Sequence, residues 1–106
     1  MLFELRIYRT RPGQRAAWVK FFEEELIPYQ SSKGIVVVGS FVGEQDEDQH
    51  VWIRRFGSEE DRVRLYQAFY ESEHWKNTLS PRVGELIDRE QIQVIRLRPT
   101  PTSVIR

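Results

Sequence analysis

A chain of 106 residues, 40% hydrophobic and 30% charged, is long enough for one domain and too apolar for disorder. Its sixteen basic and sixteen acidic residues cancel, and no basic run exists, which argues against nucleic acid, whose binding draws on phosphate neutralisation. No apolar run is longer than that of Ile35 to Val38, which is far short of a membrane span. The absence of cysteine and of a basic-then-apolar leader after Met1 points to the cytoplasm.

Leu2 to Arg9 alternates strictly, with Phe3, Leu5 and Ile7 on one face and Glu4, Arg6 and Tyr8 on the other, the period of a strand. Arg11-Pro12-Gly13 supplies a turn. From Gln14 to Ile27 the stripe Trp18, Phe21, Phe22 and Leu26 predicts a helix ended by Pro28, followed by a loop over Tyr29 to Gly34. Ile35 to Val42 and Gln49 to Phe56 read as the strands of a hairpin across the polar turn Gly43 to Asp48. Ser58, followed by three acids, is an N-cap, and the helix it starts carries Leu65, Tyr66, Phe69 and Tyr70. Pro81 to Ile87 reads as a third short helix and Glu90 to Leu97 as the last strand. Residues 1–98 are expected to form a single domain, with Pro99 to Arg106 an extended tail.

The order β-α-β-β-α-(α)-β is that of an α+β, ferredoxin-like fold with an antiparallel four-stranded sheet. Such a sheet has one face under helices and one in water, so its strands should alternate cleanly. Strands two to four do not: Val36 and Val37, Trp52 and Ile53, Val94 and Ile95 are apolar on both parities. A second cover is needed, and a second copy of the chain can provide it, giving a homodimer.

Four features carry a family resemblance: the strand Glu4-x-Arg6-x-Tyr8 running into Arg11-Pro12-Gly13, the aromatic helix around Trp18 and Phe21, the Gly43 turn leading to His50-x-Trp52, and Trp75 after the second helix. In that order, over residues 3–97, the chain resembles the NIPSNAP family of the dimeric α/β barrel superfamily. The resemblance implies two ferredoxin-like subunits whose sheets face each other to form a barrel. It implies no particular reaction. Where the family often has an aromatic two residues after the strand-three tryptophan, this chain has Arg54.

Strands one and three of this fold are antiparallel neighbours, and opposing Tyr8 with His50 sets Arg6 against Trp52 and Glu4 against Arg54. Two readings of that ladder stand. One is a ligand site, with a titratable His50 beside the phenol of Tyr8 and an arginine for an anionic group. The other is a polar ladder that fixes strand register. The functions in view are a small-molecule-binding homodimer, a cofactor-independent monooxygenase or isomerase, and a protein-interaction scaffold. In the enzyme reading His50 is the acid/base, Tyr8 its hydrogen-bonding partner, and Arg6 or Arg54 the anion clamp. No cofactor and no metal are expected: His50 and His74 lack ligand spacing, and Asp46 and Asp48 lack the glycine and glutamate of a calcium loop. The strand His50 to Phe56 lacks the glycines of an RNA-recognition strand.

Overall fold

The computed structural model describes residues 1–106. Strand β1 (Leu2–Arg9) leads into the predicted turn, where Gly13 sits at φ 77°, a conformation without steric cost only for glycine. Helix α1 (Arg15–Phe21) passes through a π-helical turn, Phe22–Leu26, into α2 (Ile27–Ser32), and the chain leaves at Gly34, φ 93°. Strands β2 (Val36–Val42) and β3 (Gln49–Phe56) form the expected hairpin. Helix α3 (Glu59–Tyr70) starts as predicted: the Ser58 hydroxyl accepts from the Asp61 N–H at 3.1 Å. A second π turn, Trp75–Leu79, runs into α4 (Ser80–Leu86), and a 3-10 turn, Arg89–Gln91, precedes β4 (Gln93–Leu97).

Several boundaries depart from the sequence expectation. Pro28 does not end the first helix, and the third helix begins ahead of Pro81 rather than at it. The cause is the same in both places. The Ile27 N–H reaches back five residues to Phe22 O, and the Ser80 N–H to Trp75 O, so a wide turn stands just before each proline. The widened ladder accommodates a ring that would otherwise crowd the carbonyl four residues earlier. Strand β4 starts at Gln93 rather than Glu90 because the Asp88 carboxylate accepts from the Glu90 N–H and the Ile92 N–H bonds to Arg89 O. The tail is not extended throughout: Ser103 N–H closes a turn on Thr100 O, and Arg55 donates to Arg106 O at 2.9 Å.

The sheet order is β2-β3-β1-β4, every neighbour antiparallel, so β1 and β3 hold the centre. All helices lie on one face. Trp18, Phe22 and Leu26 from the first helix and Leu79, Val83 and Leu86 from the last pack on Tyr8 and Trp52 of the sheet. Ile35, Phe56, Leu65 and Phe69 form a smaller cluster under α3. Burying a side chain of the size of Phe22 or Phe69 contributes roughly 1.5–3 kcal/mol.

The faces are inverted relative to simple patterning. The helix-covered face carries Glu4, Arg6 and Tyr8 of β1 and His50, Trp52, Arg54 and Phe56 of β3. The open face carries Leu5 and Ile7 of β1, Val51 and Ile53 of β3, and Ile95 and Leu97 of β4. Phe41 of β2 stands opposite Val51 on that face and is 56% exposed. No helix is long and apolar enough to cross a membrane.

Candidate functional site

The predicted register holds at every rung: Tyr8 opposes His50, Arg6 opposes Trp52, and Glu4 opposes Arg54. All six side chains share the covered face, but they divide into three groups with different surroundings.

Glu4 and Arg54 form the expected ion pair, Nε to Oε1 at 2.8 Å, with both side chains buried. Arg54 is saturated. Its Nη1 donates to Gln30 Oε1 at 3.0 Å, and its Nη2 to the hydroxyls of Tyr66 at 2.8 Å and Tyr70 at 3.1 Å. Tyr66 donates in turn to the Glu4 carboxylate. Burial works to raise the Glu4 pKa, but the Arg54 guanidinium and the hydrogen bonds from Arg54 and Tyr66 outweigh it, so Glu4 stays below the usual carboxylate range. With four of its N–H groups committed, Arg54 ties β3 to the helices rather than offering an anion clamp. Sequence reasoning missed Gln30, hidden beyond Pro28, and took Tyr66 and Tyr70 as plain core because their i,i+4 spacing is equally that of an apolar stripe.

His50 is held elsewhere. Trp18 Nε1–H donates to its Nδ1 at 3.0 Å. An indole N–H can only donate, so Nδ1 is unprotonated and the proton sits on Nε2, which donates to Ser40 Oγ at 2.8 Å. Burial, with a smaller contribution from Arg15, lowers its pKa to about 4, so the ring is neutral at pH 7. The expected hydrogen bond between His50 and Tyr8 is not made. Trp18, delivered by α1, occupies the histidine, and the Tyr8 hydroxyl accepts instead from Arg6 Nε at 3.1 Å.

Arg6 and Tyr8 face a cleft between sheet and helices. Arg6 lies 5.5 Å from the Trp52 ring centroid, the cation–π pair the register predicts. Its Nη1 donates to Glu4 at 3.2 Å and to the Tyr66 hydroxyl at 3.0 Å. Burial alone would lower its pKa; the neighbouring tyrosines, which could ionise only at high pH, and the hydrogen bond to Tyr8 raise it, so the guanidinium is charged. Burial raises the pKa of Tyr8 and of Tyr66, which keeps both phenols protonated. The cleft measures about 320 Å³ and is bordered by Arg6, Tyr8, Tyr66, Tyr70, Trp75 and Ile92. Tyr8, Tyr70, Trp75 and Val83 also border a separate hollow of about 30 Å³ walled by Trp18, Phe22, Trp52 and Phe69, room for about one water. His50 and Arg54 border neither. No group of three His, Cys, Asp or Glu side chains could hold a metal ion.

A four-stranded antiparallel sheet under one layer of helices, with an aromatic cleft between the layers, makes this a ferredoxin-like α+β domain. The NIPSNAP family model matches residues 3–103, and the chain belongs to the NIPSNAP family. Among solved structures it is similar to an Agrobacterium tumefaciens NIPSNAP family protein with unknown function, 28% identical over 100% of this chain and 94% of that one, TM-score 0.88. A second Agrobacterium tumefaciens family member is 29% identical over 99% and 98% of the two chains, TM-score 0.86. An antibiotic biosynthesis monooxygenase, 16% identical over 95% and 100% with TM-score 0.69, shares the fold alone. No curated protein matches the chain.

Proposed function

We propose that this NIPSNAP chain is a cytoplasmic homodimer that binds a small organic molecule in the cleft between its sheet and its helices. The cleft carries the reading. Its volume lies at the lower end of small-ligand sites, and its walls are aromatic with a few convergent polar groups, the usual make-up of such a site. The second copy is the natural cover for the open face, where Val36, Phe41, Ile95 and Leu97 are exposed and no helix of the chain remains to shield them.

Binding is favoured over catalysis by the absence of a free base in the cleft. A cofactor-independent oxygenase or isomerase needs a group to take a proton from its substrate. Glu4 is bonded to Arg54, Arg6 and Tyr66, and His50 stands behind Trp18 with both nitrogens engaged. A thermal-shift screen of small aromatic molecules tests the reading. At least one compound should raise the melting temperature in proportion to ln(1 + [L]/Kd), and Ile92→Trp, which fills the mouth, should abolish the shift. Stabilisation that survives Ile92→Trp places the ligand elsewhere.

A further inference from the structure

The cleft is rich in donors and poor in acceptors, and from this imbalance we infer that its ligand is a planar, unsaturated monoanion, such as an aromatic carboxylate. The inference rests on the cleft being a ligand site. Besides the exposed Arg89 at its border, three polar groups lining the cleft have unspent protons. Arg6 uses Nε on Tyr8 and Nη1 on Glu4 and Tyr66, but Nη2 has no partner. The Tyr8 hydroxyl accepts from Arg6 and donates to nothing. The Tyr70 hydroxyl accepts from Arg54 and likewise donates to nothing. In the wall between the layers, the Trp52 indole N–H is also buried without an acceptor. Of these only the Trp52 N–H is buried without any partner, a costly state, while the open protons of Arg6, Tyr8 and Tyr70 could converge on one ligand oxygen pair.

Charge points the same way. Two buried or half-buried guanidinium groups, those of Arg6 and Arg54, share one buried carboxylate, Glu4, which leaves one positive charge in excess beside the cleft. Arg89, at its border, is exposed, bonded only to Ser80 and screened by solvent. Arg62 approaches Glu4 only to 3.7 Å and is paired with Glu59 at 2.8 Å, so it is left out of this count. A single negative charge at Arg6 Nη2 would redress the balance, and a planar carboxylate suits the guanidinium fork. The body of the ligand then meets aromatic walls: Tyr70 and Trp75 stand edge to face at 5.1 Å, and Tyr66 lies 5.0 Å from Tyr70. A flat ring completes that set better than an aliphatic chain.

Titration calorimetry at pH 7 with 2-naphthoate, its neutral isostere 2-naphthamide, and acetate tests the inference. The expected result is that naphthoate binds at least about tenfold more tightly than naphthamide, the scale of a charged hydrogen bond, while acetate binds far more weakly than either. Arg6→Gln should remove the preference for naphthoate and leave naphthamide unchanged. Should that variant not fold, Tyr70→Phe keeps the Arg6 contacts and should still weaken naphthoate several-fold, by more than it weakens naphthamide, because the bond to the carboxylate is charge-assisted. Equal binding of naphthoate and naphthamide overturns the anion and leaves the small-molecule reading standing. Acetate as tight as naphthoate overturns the planar body. Binding of none of the three overturns the inference, and the ligand-dependent melting shift of the wider screen decides separately whether the cleft is a site.

Discussion

Replacing Arg54 with methionine keeps the unbranched stem to about the position of Nε while deleting the charge and every donor, so the loss reads chiefly the polar network, with a smaller share from the space the guanidinium leaves. Removing one partner of a buried ion pair costs about 3–5 kcal/mol, because the other charge stays behind in low dielectric. Here Glu4 is not wholly abandoned: Tyr66 still donates to its carboxylate, and Arg6 remains at 3.2 Å. The cost should fall near the lower end, about 3 kcal/mol. In a domain of roughly 100 residues, each kcal/mol moves the melting temperature by about 4–8 °C, so the drop should be about 12–24 °C. The assay is urea unfolding at fixed protein concentration for wild type, Arg54→Met, Glu4→Gln and the double variant. Replacing both partners removes the stranded charge, so Glu4→Gln/Arg54→Met should be more stable than Arg54→Met alone. A loss in Arg54→Met below about 1 kcal/mol, the size of an exposed pair, or a double variant worse than the single, would refute the buried network as an organising element.

Two other outcomes are expected. His50 titrates near 4 when folded against 6.5 for the free group, so between those values the unfolded chain binds more protons and stability must fall as pH drops from about 6.5 to 4. The full effect is roughly 3 kcal/mol, and Glu4, held below its ordinary value, adds a further loss at lower pH. Urea midpoints against pH should show that first limb in wild type and lose it in His50→Gln; parallel curves contradict a neutral buried imidazole. In solution, light scattering should give twice the chain mass of 12.7 kDa, and Ile53→Glu, a charge at the centre of the open face, should give the single mass. A monomeric wild type would remove the sheet-to-sheet dimer.

The register of β1 on β3 could be read from the sequence because both strands alternate and their antiparallel neighbour relation follows from the element order. Which rungs become bonded pairs could not. Tyr8 and His50 stand opposite each other, yet the histidine is taken by Trp18, 32 residues away in the chain, and only the docking of α1 decides that. The covered face escaped for a similar reason. Glu4 and Arg6 look solvent-bound by residue type, and their burial depends on Tyr66, Tyr70 and Gln30 arriving with matched hydrogen-bonding groups. The donor surplus around Arg6 emerges only once every pairing is fixed in three dimensions.

The wide turns also set the angular phase of the helical segments beyond them. Trp18, Phe22, Leu26 and Gln30 are all buried at a constant spacing of four, and Leu79 and Val83 repeat the spacing after half-buried Trp75. An uninterrupted α-helix winds about 100° per residue, so the twelve steps from Trp18 would swing Gln30 about 120° off that stripe. One residue absorbed in the π turn takes back about 100° and returns the carboxamide to within about 20°, where it meets Arg54. Removing one residue between Phe22 and Leu26 would therefore give an ordinary helix with Gln30 still on its stripe, leaving Pro28 to crowd the carbonyl behind it. Adding one to an otherwise unchanged helix would turn the carboxamide about 100° away from the guanidinium. The segment thus holds a single residue of slack, all of it on the side of shortening.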